Sequence, residues 1–213
     1  MERSIYYNLR SNKIRVAIKE RVDQRKREIA LKAASLFVKK GYHQSSIRDI
    51  AEWCGISIGA LYHYINSKED ILSLFREICS SLLVKFTQER LDDLFKMPPA
   101  EALNTAIDDL ITLIDTTQDF TLFWYQESKN LKADELNKLL QYEGEQVNLL
   151  KKILKWGCDE GVFKIKDINL AAHDIIVLCD MWAFRRWALK KDYSLDQFKE
   201  EQKRIIAKIT NFE

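Results

Sequence analysis

Along almost the whole chain, apolar residues recur every three or four positions, the period of an amphipathic helix rather than the alternation of a strand. Ile29, Ala33, Leu36 and Phe37 form the first clear stripe, and Gly41 stops it after Lys39-Lys40. Ser46-Ile47-Arg48-Asp49 has the spacing of a capping box, in which hydroxyl and carboxylate satisfy the open amides of a new helix. That helix is short, because Gly55 closes it. Ser57 caps a third short helix expected to run through Ile65, and Ser67-Lys68-Glu69-Asp70 is a second capping box. It opens a long helix on which Ile71, Phe75, Ile78, Leu82 and Phe86 keep helical spacing until Pro98-Pro99 breaks the pattern. Four or five further helices fit the rest, over 100–117, 119–131, 134–158, 168–190 and 195–211. Gly157 and Gly161 mark the end of the third, and Ser194-Leu195-Asp196-Gln197 caps the last.

Only six Gly and two Pro occur in 213 residues, too few breakers for a sandwich, a propeller or a doubly wound sheet. The expected class is all-α. Its parts are a basic extension over 1–24, a three-helix unit over 25–70 and a larger helical domain over 71–213. The boundary is expected inside the long helix near residues 70–90, not at a flexible linker. A chain of this size buries roughly 70% of its unfolded surface, enough for a core without staples. Cys54, Cys79, Cys158 and Cys179 have neither metal nor redox spacing and read as small buried hydrophobes, so no metal or cofactor is expected. No stretch approaches the ~20 apolar residues of a membrane span. The opening Met1-Glu2-Arg3-Ser4-Ile5-Tyr6-Tyr7 has no apolar signal core, and a cytoplasmic protein without a membrane partner is expected.

Charge sharpens this picture. Residues 1–70 carry 14 Lys and Arg against 8 Asp and Glu, while the remainder is mildly acidic. A basic end on an acidic body suits a polyanion partner held at that end, although charge alone equally describes a solvated arm. Three short helices with a tight turn between the last two make a helix-turn-helix, whose final helix fits a major groove about 12 Å wide. The turn here is Trp53-Cys54-Gly55-Ile56, with Gly55 supplying a positive φ and Ile56 filling the space between the helices. On the next helix Ile58, Leu61 and Ile65 form an inward stripe, and the small Gly59 and Ala60 face out, where backbone can approach base edges. Tyr62, His63 and Tyr64 offer polar tips to phosphates, and Lys68 could share a phosphate with the amides of its helix N-terminus. Arg10, Lys13, Arg15 and Lys19 form either a phosphate-tracking arm or an unstructured terminus.

These residues carry a specific resemblance. Phe37, Gly41-Tyr42, Ser45-Ser46-Ile47, Ile50-Ala51, Gly55-Ile56-Ser57, Gly59-Ala60-Leu61-Tyr62 and Ser67-Lys68-Glu69-Asp70 resemble the N-terminal signature of the tetracycline-repressor (TetR) family over residues 25–75, without a gap. The resemblance implies a dimeric all-helical transcriptional regulator, commonly a repressor, whose C-terminal domain binds a small-molecule inducer. It implies groove-facing roles for Ser57, Gly59, Ala60 and Tyr62, and phosphate-facing roles for Ser46, His63, Tyr64 and Lys68. Tyr64 stands where the family usually has His, and Ile65 where it usually has Phe.

The C-terminal part holds the candidate ligand site. Residues 170–189 are apolar nearly all round, so this helix must be covered on two sides, one of them a second subunit. Phe198, Ile205 and Ile209 give the last helix one apolar stripe, and two such helices from each of two chains make the four-helix interface of a homodimer, as in the family. The aromatic run from Phe120 through Phe123, Trp124 and Tyr125 is either core or the wall of a pocket. The pattern from Glu127-Ser128-Lys129 through Gly157 and Gly161 to Trp182 and Trp187 is similar to the branch that senses fatty acyl-CoA thioesters. An apolar tunnel lined by Phe120, Phe123, Trp124, Trp156, Trp182 and Phe184 would then take the acyl chain, with Arg185 and Arg186 at its mouth for the CoA head. His173, Asp174 and Asp180 inside the apolar span could orient a ligand or satisfy buried backbone. His43, His63 and His173 lie far apart and no phosphate loop or His-Glu-x-x-His occurs, so no enzyme is expected. The expected function is a ligand-responsive regulator released from a palindromic double-stranded operator. The rival is a helical ligand-binding or scaffold protein without sequence-specific DNA binding.

Overall fold

The computed structural model describes the backbone of residues 2–83, 88–130 and 133–210; side chains are described over 20–75 and from 91 onward, apart from several in 127–142. Phe86, and the side chains of Ile78, Cys79 and Leu82, lie outside the described residues. All described regular structure is helical, and the chain divides into two units, Met1–Ile78 and Cys79–Glu213.

The first unit begins with α1 (Glu2–Lys40). No Gly or Pro interrupts the first forty residues, so the basic extension is the N-terminal part of one long helix and not an irregular tail. The buried face of α1 carries Ile29, Ala30, Ala33 and Phe37, all 1% exposed or less. Short α2 (Ile47–Cys54) and α3 (Ile58–Tyr62) follow, then α4 (Lys68–Leu83), which carries the chain across the division between the units. Ile50, Leu61, Ile65, Ile71 and Phe75 complete this core, and each fully buried side chain of this kind contributes ~1.5–3 kcal/mol. Both expected capping boxes form: Ser46 Oγ accepts from the Asp49 amide at 3.2 Å, and Ser67 Oγ accepts from the Asp70 amide at 3.2 Å. Their carboxylates return the bond to the Ser46 amide at 2.8 Å and the Ser67 amide at 3.3 Å.

In the second unit α5 (Gln88–Leu94) leads to Pro98-Pro99, and α6 (Pro99–Thr116) starts on the proline, whose missing N–H costs nothing at a first turn. Then come α7 (Gln118–Glu127), α8 (Ala133–Asp159), α9 (Ile168–Phe184), α10 (Arg186–Leu189) and α11 (Leu195–Ile209). Helices α6, α8 and α9 pack on one another around Leu103, Ile107, Ile111, Ile153, Leu154 and Ile175, and α11 closes the bundle with Phe198 and Ile206. At the end of α8 a Cβ on Gly157 would stand 2.1 Å from the Phe163 ring, so glycine is required there by close approach.

Four expectations are corrected. The third short helix, expected to run through Ile65, ends at Tyr62. The helix expected over 119–131 ends at Glu127 and continues as a 3₁₀ turn, Ser128–Asn130. The helix expected over 168–190 breaks at Arg185, and the step at α10 lets the Arg186 guanidinium reach Asp115 at 2.6 Å. The single stripe expected on the last helix is two faces. Phe198, Gln202 and Ile206, spaced by four, point inward, whereas Ile205 and Ile209 are exposed.

Candidate DNA-binding surface and effector cavity

The turn between α2 and α3 is built by backbone chemistry. Gly55 takes φ 71° and ψ 34°. Its amide donates to Glu52 O at 3.0 Å and the Ile56 amide to Ala51 O at 3.0 Å, the paired bonds of a Schellman stop. A Cβ on Gly55 would meet nothing within 4 Å, so the demand for glycine is conformational alone. Two residues later Ser57 Oγ accepts from the Ala60 amide at 3.1 Å and starts α3. The helix exit and the next helix entry are thus fixed within a handful of residues.

With α3 held by Leu61 and Ile65, Ser57, Gly59, Tyr62 and His63 are exposed and Ala60 and Tyr64 are half-buried. Tyr62 is 51% exposed. Ile58 departs from the expected inward stripe, at 36% exposure, because on a five-residue helix only Leu61 and the following Ile65 reach the core. Ser46 is exposed at the start of α2, and its hydroxyl donates to Asp49 Oδ2 at 2.7 Å. Lys40 also meets that carboxylate at 2.7 Å, and the lysine together with the capping bonds holds Asp49 well below the usual carboxylate range.

Lys68 lies in the first turn of α4 as expected, but its ammonium is engaged inside the unit. It donates to Tyr42 O at 2.6 Å and Ser45 O at 3.2 Å and stands 4.2 Å from the centre of the Tyr42 ring. It therefore ties the α1–α2 connection to the start of α4. Sequence reasoning passed over Arg48, exposed on α2, and Trp53, whose Nε1 donates to Ser35 Oγ at 3.0 Å under the Lys39 ammonium. Both sit beside the residues that were singled out, and only their exposure in the folded unit marks them.

In the second unit α6, α7, α8 and α9 enclose a cavity of about 90 Å³. Of the six expected tunnel residues, Phe120 and Trp124 line it, and Phe123, Trp156, Trp182 and Phe184 do not. Phe123 is fully buried core, Trp156 packs edge-on to Phe95, Trp182 packs on Phe198, and Phe184 lies edge-on to Tyr125. Arg186 is paired with Asp115, whose Oδ1 also accepts from Trp182 Nε1 at 2.8 Å, and Arg185 rests over the Trp187 ring. A long apolar tunnel is replaced by a small cavity, well under the ~300–1,000 Å³ of drug-sized pockets.

Its lining is also more polar than expected. Leu110, Leu113, Ile114 and Val147 are joined by Thr121, Tyr125, Glu143, Gln146, His173 and Asp180. Asp180 is 7% exposed, and burial pushes its carboxyl up to about 7 although Tyr125 OH donates to Oδ2 at 3.0 Å. Burial also raises Glu143, with His173 opposing, and raises the Tyr125 phenol. Trp124 Nε1 is buried with no hydrogen-bond partner among the described residues. Glu143 and Gln146 escaped the sequence reading, although with Val147 they share one face of α8 at i, i+3 and i+4. Among the described residues no group of His, Cys, Asp and Glu is placed to hold a metal ion, and no helix is long and apolar enough to cross a membrane.

Comparison with known proteins places both units. The sequence model of bacterial regulatory proteins of the tetR family matches residues 29–74, and that of the tetracyclin repressor-like C-terminal domain matches residues 96–186. The HTH-type transcriptional regulator HbdR of Aromatoleum sp. (strain CIB) is 28% identical over 185 residues, 84% of this chain and 78% of its own length. The crystal structure of the TetR-family regulator PfmR from Thermus thermophilus superposes with TM-score 0.69 at 25% identity, over 86% of this chain and 97% of that one. The transcriptional regulator FadR from Bacillus subtilis, solved with stearoyl-CoA, shares the fold with TM-score 0.64 at 24% identity, over 85% and 97% of the two chains. The chain belongs to the TetR family and is a DNA-binding transcriptional regulator. Its relatives are regulators and not enzymes.

Proposed function

We propose that the protein acts as a homodimeric repressor that holds a palindromic operator through α3 and lets go when an acyl-CoA thioester fills the α6–α9 cavity. The observation that carries the DNA half is the exposed edge of α3. Ser57, Gly59, Ala60 and Tyr62 meet base edges there, with Ser46, His63, Tyr64 and Arg48 toward the phosphates. Lys68 serves by holding the loop behind them. Exposed Leu170 and Val177 on α9, seven residues apart, together with Ile205 and Ile209 on α11, supply the apolar face on which a second copy would pack. Two-fold symmetry then requires a palindromic site.

The effector half rests on the cavity and on the stearoyl-CoA bound by the B. subtilis FadR. An open groove around α10, lined by Lys190, Lys191, Asp192, Tyr193 and the Arg186–Asp115 pair, offers the two lysine ammoniums to the phosphates of CoA. The α4 helix links the units, so ligand and operator binding oppose each other by one coupling free energy, typically ~1–3 kcal/mol. The test titrates operator-bound protein with acyl-CoAs of increasing chain length and with planar aromatic drugs. Release by acyl-CoA supports the reading. Release by the drugs alone removes the acyl-CoA part and leaves the regulator.

A further inference from the structure

Ile58 is an apolar side chain on α3 that the unit's own core leaves out. It is 36% exposed and shares a helix face at i, i+4 with Tyr62, itself exposed, while Leu61 and Ile65 fill the space beneath at 1% exposure or less. The residues around it decide what it can do. Residues 57–64 read Ser-Ile-Gly-Ala-Leu-Tyr-His-Tyr, so α3 and its two caps hold none of the Arg, Lys, Asn, Gln, Asp and Glu side chains that make the strongest polar contacts with base edges. Ser57, Tyr62 and His63 bring hydroxyl or ring-nitrogen atoms, and Ser57 Oγ already accepts from the Ala60 amide at 3.1 Å. Beside Ile58 there is open space: a Cβ on Gly59 would meet nothing within 4 Å. In the major groove one base edge carries a methyl group for such a side chain to cover, that of thymine at C5.

Resting on the reading of α3 as the groove-facing helix, we propose that Ile58 is a specificity-determining residue that packs on the 5-methyl group of a thymine in each operator half-site. The contact takes two apolar surfaces out of water. Set against a purine edge or the amino group of cytosine, the same side chain would cover donors and acceptors without bonding them. The contact carries no charge, so it adds to sequence discrimination and nothing to the salt dependence of binding.

The probe is the palindromic duplex that the full-length protein enriches from a random pool. Each thymine in turn is replaced, symmetrically in both half-sites, by uracil, which lacks only the methyl group. Fluorescence anisotropy of the labelled duplexes should show one position where replacement weakens binding about 4-fold per half-site and about 16-fold in all, the ratio that one buried methyl group contributes at each. Ile58→Ala should bind the thymine and uracil duplexes equally well, with the melting temperature and the salt slope unchanged. Ile58→Ser, a small polar residue at home in the first turn of a helix, answers the same question if Ile58→Ala fails to fold. Wild-type binding indifferent to every uracil, a half-site without thymine, or a thymine preference that both variants retain overturns the assignment and leaves α3 as the reading helix. A pool with no enriched duplex overturns both.

Discussion

The α3 surface and the α6–α9 cavity are built on opposite plans. On the surface, the polar groups that shape the backbone are satisfied: Ser46, Ser57 and Asp49 all close local bonds, and the residues left facing outward are small or amphipathic. Around the cavity, two carboxyls are held above their ordinary range by burial, and the buried Trp124 indole N–H has no partner among the described residues. A surface that must dock on a rigid duplex gains from being finished before the partner arrives. In the proposed reading the cavity keeps interactions for a ligand to complete, and the stability forgone there would be the source of its response.

Substitutions can break each half separately. The largest effect is expected at Ala60→Glu, which sets a carboxylate where α3 is proposed to meet base edges and phosphates. Operator affinity should fall to the non-specific level, about 10³-fold or more, in a gel-shift titration, with the melting temperature little changed. Next comes the proposed interface. Ile205→Glu with Ile209→Glu should shift a ~50 kDa species toward the 25.1 kDa chain in sedimentation at micromolar concentration. A dimer that persists would place the interface elsewhere.

The cavity is probed by pH. Asp180 titrates at about 7 in the folded protein against an ordinary 3.8, so between those values the folded state holds a proton that the unfolded chain has released. Stability therefore falls as pH rises from about 4 to about 7 and is level above that. Asp180→Asn keeps an acceptor for Tyr125 but removes the ionisation. It should stabilise the protein by on the order of 2–4 kcal/mol at pH 8 and by little at pH 4, as read from urea melts. Equal gains at both pH values would show that the carboxyl is ionised without penalty.

The smallest effect is expected at Lys68→Ala. Losing its bonds to Tyr42 O and Ser45 O should cost about 1–2 kcal/mol of stability. Operator affinity should weaken while the salt slope stays unchanged. A slope lower by about 1 would instead mark a direct phosphate contact.

The two regions also differed in how much of them could be read from the residues. The helix-turn-helix is local: Ser46 with Asp49, Gly55, and Ser57 lie within a dozen positions, and caps and left-handed glycines leave signatures at fixed offsets. Even there a five-residue helix defeated periodicity at Ile58. The cavity gathers Leu110, Trp124, Glu143 and Asp180 from four helices, and no spacing announces which aromatic turns to core and which to the void. Phe123 and Trp124 are neighbours in the chain, yet the first is sealed and the second lines the cavity. The split on α11, where Phe198 and Ile206 face in while Ile205 and Ile209 face out, follows from which side α6 and α9 occupy. The Arg186–Asp115 pair spans 71 residues and belongs to tertiary packing alone.

The most direct test of the central claim is a selection of bound duplexes from a random pool by the full-length protein. The expected outcome is an enriched palindrome, with half-sites about one helical turn apart, ~34–36 Å, or somewhat more if the duplex is widened, and lost entirely with Ala60→Glu. A pool that stays unenriched, or an enriched site that Ala60→Glu still binds, would contradict the assignment of α3 as the reading helix.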